Sequence, residues 1–450
     1  MARINPLSGF PEWLPSERIV EQHVIDTVRS VFELHGFTSI ETRSVEPLDQ
    51  LLRKGETDKE IYVLRRLHAD PDEADAGPNS QTLGLHFDLT VPFARYVLEN
   101  AGKLDFPFRR YQIQKAWRGE RPQEGRYREF LQADIDVVGR DTLPFHADVE
   151  ILLVIADALA ALPIPPVRIN LNNRKVPEGF YRGLGITDIA GVLRTVDKLA
   201  KIGAGGVTKE LVDSGLASEE QAKRCLALAE IQTSDTSFVD AVRALGVEHA
   251  TLDEGLDELA QVVDAATESG ADSIRVDLSV ARGLDYYTGT VYETTLLGHE
   301  GIGSICSGGR YDALASDGST TYPGVGISLG ITRLLGPLFS RGGLTASRSV
   351  PTCVLVALPD EESRRGCARI ASALRSRGIP TEVAPEPAKY GKQIRFAERR
   401  GIPFVWFPQP DGGHEVKDIR SGNQASAAPD TWAPPADDLG PTVITAEESS

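Results

Sequence analysis

Two hydrophobic periods alternate along this chain, one helical and one of alternating residues. Residues 16–36 set Ile19, Val20, Val24, Val28, Val31 and Phe32 at helical spacing, with Ser16 at the start and Gly36 at the end, which predicts an amphipathic helix. Residues 37–45 then read as a strand, and the acidic stretch 69–81 as an exposed hairpin tip between two strands. Residues 83–100 pass from alternation into a helix with Pro92 in its first turn. Next, FRRYQIQKAWRGERPQEGRYREFLQADIDVVG at 108–139 alternates, breaks on a polar turn and alternates again, which predicts a long hairpin. A helix at 145–162 and a strand at 167–172 follow.

From about 176 to 270 the alternation disappears, and glycine-punctuated helical segments predict a helical insertion. The GAGG at 203–206 has no Gly-Lys-Ser/Thr after it and reads as a helix connection rather than a phosphate loop. Strands resume at 273–278 and 290–295, a glycine-framed hairpin carries CSGGRYD, and 322–338 runs from a glycine-bearing strand into a helix. The expected domains are therefore 1–340, a linker at 341–350 and a small α/β domain with a largely parallel sheet at 351–427. The remainder, 428–450, is Pro-rich and acidic, which predicts a tail disordered at its end.

Composition narrows the function classes. With 41% hydrophobic and 25% charged residues the 450-residue chain is ordinary globular material. Its net charge of -17 argues against a protein that coats nucleic acid nonspecifically. Charge is uneven, however: residues 363–400 hold ten basic and three acidic residues, a net +7. No apolar run approaches a membrane span, and the opening residues lack the regions of a secretory signal, so a cytoplasmic location without membrane contact is expected. Four scattered cysteines predict small core residues, with neither disulfides nor a metal site.

Candidate chemistry gathers in four places. The hairpin turn carries Arg118, Glu120, Arg121, Arg126 and Arg128. Guanidiniums so close repel one another unless carboxylates or an anion lie among them, so the turn is either self-paired or a phosphate site. Asp88 and Thr90 at a strand–helix junction either cap that helix or present acceptors to an ammonium group. Arg282, Asp285, Tyr286 and Tyr287 form a dense cluster, in which adjacent extended tyrosines would point to opposite sides. Gly308 and Gly309 precede Arg310 and Tyr311, while Gly324 and Gly326 lead to Arg333, leaving room for a flat group against the strand.

These stretches together resemble the histidyl-tRNA synthetase family of class II aminoacyl-tRNA synthetases. KAWRGERPQEGRYREFLQADIDVVG resembles motif 2, GVGISLGITRLL motif 3, RGLDYYTGTVYE and SGGRYD the two histidine signatures, and HFDLTVPFARYV the amino-acid-binding strand. KYGKQIRFAERRGIPFVWF with EVKDIRSGNQ is similar to the family's anticodon-binding domain. The resemblance implies an α+β fold: an antiparallel sheet flanked by helices, a helical insertion, and a C-terminal α/β anticodon-binding domain, working as a homodimer. It implies a histidine–tRNA ligase that uses ATP and Mg²⁺ with tRNA(His) and histidine as partners.

Residue by residue, it implies Arg118 at the α-phosphate, Glu120 and Phe130 at the adenine, Arg333 over the adenine by the γ-phosphate, and Arg126 also at ATP. It places the histidine ammonium at Asp88, Thr90 and Gln132, and its carboxylate at Arg282, which also meets the α-phosphate. Asp136, Tyr287 and Tyr311 would surround the imidazole, and Tyr286 would also bind histidine. Arg118 and Arg282 would be catalytic, and Lys389, Lys392, Arg395 and Arg399 would meet tRNA. Two departures stand out: Arg43 where motif 1 usually has proline, and Thr332 where a glutamate commonly precedes the motif 3 arginine. A related non-catalytic regulatory subunit of ATP phosphoribosyltransferase is the competing implication, against which stand the retained arginines and the added basic domain.

Overall fold

The computed structural model describes residues 5–52, 60–67, 82–281, 283, 286–313, 315–316 and 318–446. The expected acidic hairpin tip lies wholly outside them, as do Arg282 and Asp285. The chain divides into two compact units, one of residues 1–11 and 24–337, the other of 12–23 and 338–450. No helix among the described residues is long and apolar enough to cross a membrane.

Strands of the first unit are β1 (Thr38–Ser39), β2 (Val45–Pro47), β3 (Val63–Leu64), β4 (Leu83–Leu85), β5 (Phe108–Trp117), β6 (Glu129–Val138), β7 (Val167–Asn173), β8 (Gln232–Thr233), β9 (Ile274–Asp277), β10 (Thr290–Leu296), β11 (Cys306–Tyr311) and β12 (Gly324–Gly330). Nine of them form one sheet in the order β1-β5-β6-β12-β11-β10-β7-β9-β8. Its run from β5 to β7 is antiparallel throughout, as the resemblance implied, and β1 and β9 join it in parallel. Strands β2, β4 and β3 make a separate small sheet. The single strand expected over 37–45 is thus split: Thr38–Ser39 pairs with β5, and Val45–Pro47 leaves to pair with β4. Arg43, between them, turns its side chain onto Glu46 at 3.0 Å and Glu99 at 3.6 Å.

One sheet face is apolar. Leu171 and Ile169 of β7, Val276 of β9 and Ile135 of β6 are fully or almost fully buried there. The helices His146–Ala160 and Ala250–Glu268 carry the matching apolar positions, Ile151, Leu152, Ile155, Leu256, Leu259 and Val263. Tyr292 fixes one of these contacts, its hydroxyl donating to the Asp148 carbonyl at 2.7 Å. Between β7 and β9 the chain forms the helices Lys175–Gly183, Ile189–Val196, Leu199–Asp213, Glu219–Ala229, Phe238–Arg243 and Ala250–Glu268. Gly203 of the GAGG string, at φ 70°, kinks the third of them, which is a helix connection.

The second unit contains β13 (Leu344–Ala346), β14 (Val354–Val356), β15 (Thr381–Val383), β16 (Phe404–Pro408), β17 (His414–Asp418), β18 (Gln424–Ser426) and β19 (Val443–Thr445). Its five-stranded sheet runs β15-β14-β16-β17-β18, parallel through the first three and antiparallel thereafter. The helices Arg364–Ser376 and Tyr390–Arg400 pack on it. Residues 341–350 are more than a linker, because β13 pairs with β19 from the chain's far end. Residues 428–446 are likewise built in: Trp432 packs edge-on to Phe404 and Trp406, and Asp438 pairs with Arg420 at 2.6 Å. The expected loose end falls on 447–450, outside the described residues. All four cysteines are buried free thiols, two in each unit.

Candidate active site

Strand register, set by the alternation of side chains, builds the site. The cross-strand pairs Arg110↔Asp136, Gln112↔Asp134 and Gln114↔Gln132 join β5 and β6, and Asp136↔Gly326, Asp134↔Ser328 and Gln132↔Gly330 join β6 and β12. Gly326 pairs with Gly309, Ser328 with Ser307, and Gly324 with Tyr311. Directly paired residues project to the same face. The face opposite the apolar core is therefore polar on β5 and β6, with Gly and Ser on β11 and β12 as its floor.

The small floor residues make room for the site's own side chains. A Cβ on Gly326 would lie 2.1 Å from Asp136 Oδ1, one on Gly324 2.5 Å from the Tyr311 hydroxyl, and one on Gly309 2.9 Å from the Tyr287 ring. Asp136 lies buried here, its Oδ2 2.6 Å from an Arg110 terminal nitrogen and its Oδ1 accepting the Tyr311 hydroxyl at 2.8 Å. Arg110 is completely buried, and its guanidinium stacks 4.0 Å from the Phe93 ring. Burial, then the Asp136 charge, pushes the Tyr311 hydroxyl well above the usual phenol range. Tyr287 is pushed the same way by burial and by Tyr286. At physiological pH both phenols keep their protons and can donate.

Tyr286 and Tyr287 do not diverge as an extended dipeptide would. Their ring centroids are 4.2 Å apart, because the backbone turns on Gly283 at φ 64° and both tyrosine N–H groups donate to the Gly283 carbonyl. Both rings therefore belong to the pocket that holds Asp136 and Tyr311. Asp88, 5% exposed, lies just before the helix Thr90–Asn100 and accepts the Val91 N–H at 3.0 Å. Thr90 is that helix's first residue.

Beside this pocket lies a cleft lined by Arg118, Glu120, Arg126, Phe130, Gln132 and Arg333, among others. Arg118 donates through Nε to the Phe87 carbonyl at 3.0 Å, and its guanidinium stands 5.0 Å from the Phe130 ring. Across the cleft, Arg333 grips the Ile302 carbonyl with Nε at 3.2 Å and a terminal nitrogen at 2.7 Å. Glu120 lies 3.4 Å from Arg126, so the turn is partly self-paired. Thr332 Oγ1, where a glutamate is common, accepts the Leu131 N–H at 2.8 Å and ties the helix Ile331–Ser340 to β6.

A model of the family described as histidyl-tRNA synthetase matches residues 9–334. The chain belongs to the histidyl-tRNA synthetase family. It is 60% identical to a histidine–tRNA ligase of Cutibacterium acnes over 99% of both chains, and 60% identical to one of Micrococcus luteus over 100% of both. Among solved structures, the histidyl-tRNA synthetase of Nostoc sp. PCC 7120 is 36% identical and superposes with a TM-score of 0.84, covering 96% of this chain and 98% of that one.

Within this family member, Asp88, Gln132, Asp136, Tyr286, Tyr287 and Tyr311 come together on or beside one sheet face, and the five ATP candidates share one cleft. Arg282 cannot be placed, lying outside the described residues. Lys389, Lys392, Arg395 and Arg399 are exposed and belong to the second unit. The motifs alone missed Arg110 and Asp134. Asp134, 2% exposed, is pushed up to about 7 by burial, against Arg110 and with Asp136 and Asp88 adding to the push. The alternation of Gln132, Asp134 and Asp136 with Ala133, Ile135 and Val137 was the available signal.

Proposed function

We propose that this chain activates L-histidine with ATP and transfers the histidyl group to the terminal ribose of tRNA(His), releasing AMP and pyrophosphate. The observation that carries the reading is the continuity of the two sites: Gln132 lines the arginine-bearing cleft while standing on the same strand face as Asp136. An amino acid held by the Asp136 pocket would present its carboxylate toward Arg118 and a nucleotide in the cleft. In this reading Asp136, Tyr287 and Tyr311 hold the imidazole, with Tyr286 packed on Tyr287. Asp88, Thr90 and Gln132 hold the ammonium group.

The adenine lies between Phe130 and Arg333, with Glu120 and Arg126 at its edge, and the α-phosphate lies at Arg118. Attack of one anion on another is slow in water, and cations fixed in advance by carbonyl contacts, as Arg118 and Arg333 are, stabilise the developing charge without reorganisation. Arg282, carried from the family signature, would bridge the histidine carboxylate and the α-phosphate. Magnesium belongs to this reading as magnesium–ATP, the substrate form. Among the described residues no group of three or more His, Cys, Asp or Glu side chains gathers to hold a metal.

The second unit serves the reading as the anticodon-arm platform. On the helix Tyr390–Arg400 the inward side is fixed by Gln393, which bonds Leu358 N–H and carbonyl at 2.8 Å each, and by buried Ala397. Lys392, Arg395 and Arg399 face outward with Lys389 before them, and no hydrogen bond or ion pair among the described residues uses their side chains. A homodimer in the cytoplasm completes the reading. The test is charging of a tRNA(His) transcript with labelled histidine. Acid-precipitable product that requires ATP is expected, and histidine binding without any charging would favour the regulatory-subunit alternative.

A further inference from the structure

Among the described residues, two buried acceptor atoms on β6 have no hydrogen-bond partner, Gln132 Oε1 and Asp134 Oδ1. The residues are 8% and 2% exposed and stand two apart on one strand, so their side chains project to the same face roughly 6–7 Å from each other. A buried acceptor without a donor costs about 1–3 kcal/mol, which a ligand bringing the donor recovers.

Charge adds a second argument. The carboxylates of Asp88 and Asp136 both act on Asp134, and among the described residues the buried guanidinium of Arg110 opposes them. Arg110 is committed to Asp136 at 2.6 Å, and Asp88 Oδ1 to the Val91 N–H at 3.0 Å. Asp134 has the Ser328 hydroxyl on one side and nothing on Oδ1. A cation that brings N–H donors would partner both Asp134 Oδ1 and Gln132 Oε1. An alkylammonium carries three.

We propose that Asp134 is the counter-charge of the substrate's α-ammonium group, with Gln132 Oε1 as a second acceptor, and that it thereby sets the requirement for a free amine. This rests on the histidine-activating reading and adds to it a residue beyond Asp88, Thr90 and Gln132. A carboxyl held near 7 by burial is easily ionised by a cation at hydrogen-bond distance, so Asp134 would take its charge as the ammonium arrives.

Three probes separate the roles: histidine, histamine, which keeps the ammonium and ring but lacks the carboxylate, and 3-(imidazol-4-yl)propionate, which lacks the ammonium. Their Kd values are measured by calorimetry on wild type and Asp134→Asn. The expected result is a loss of about 30-fold for histidine and histamine, or about 2 kcal/mol, with 3-(imidazol-4-yl)propionate changed less than twofold. Equal loss for all three would make Asp134 a structural or ring-binding residue and overturn the inference, as would no loss for any. Should the Asn variant not fold, Asp134→Ser takes the same measurement. A wild-type protein that binds none of the three would instead overturn the histidine reading beneath it, and the inference with it.

Discussion

Asp136 and Arg395 are both charged residues given recognition roles, yet their surroundings differ in nearly every respect. Asp136 is buried against a buried arginine and a tyrosine hydroxyl, on a strand whose register is fixed from both sides. Arg395 stands exposed on a helix whose opposite side carries the packing. Buried charges are expensive unless fully partnered, so each has a definite geometry and an effect that salt barely screens. Exposed cations cost little to keep and gain by releasing counterions on a polyanion. On the proposed reading the sheet face discriminates a small molecule, and the helix face attracts and positions a large one.

The largest effect should come from the cleft arginines. Arg118→Ala should lower histidine-dependent pyrophosphate exchange about 100- to 1,000-fold, the scale for removing a preorganised transition-state donor. Arg282→Ala, at a residue assigned from the family signature rather than from the cleft, should do at least as much. Rates within a few-fold of wild type in single-turnover adenylate formation would remove either residue from the chemistry.

Asp136→Asn should raise the KM for histidine about 30-fold and leave that for ATP within twofold, since a charged hydrogen bond is worth about 1.5–3 kcal/mol. Equal rises for both substrates would erase the division between pocket and cleft. The buried Asp134 gives a pH signature of the same face. Its carboxyl is raised to about 7 in the fold, so the folded state holds a proton that the unfolded chain has lost, and stability falls as pH climbs from about 4 to about 7. Asp134→Asn should therefore gain on wild type over that window, by up to about 1.4 kcal/mol per pH unit in denaturant unfolding. A gap between the two proteins that stays flat with pH would mean the carboxyl is already ionised.

The smallest effect belongs to the exposed helix. Lys392→Glu with Arg395→Glu should raise the KM for tRNA several-fold, flatten its salt dependence and leave pyrophosphate exchange unchanged. An unaltered salt series would place the tRNA on another face.

The same contrast explains what could be read from the sequence. That Arg118, Phe130 and Arg333 line one cleft was legible, because short signatures carry them. Helices with clear stop signals were legible too, Tyr390–Arg400 with Gly401 at φ 72° among them. Arg110 was not, because its value depends on lying opposite Asp136, a register set by the hairpin and invisible in a single strand. The tyrosine pair was misjudged for a related reason: alternation applies to extended backbone, and Gly283 turns it. The final strand, β19, escaped because its partner β13 lies about a hundred residues away in sequence, and composition speaks only of neighbours.

The central claim is that the paired charges of the sheet face select histidine and that the adjoining cleft activates it, with no help from tRNA. ATP–pyrophosphate exchange by the wild-type protein, measured without tRNA across a panel of amino acids, tests this directly. The account predicts exchange with histidine and essentially none with the others, glutamine and phenylalanine included. Histidine that binds yet supports no exchange, or exchange that appears only when tRNA is added, would contradict it.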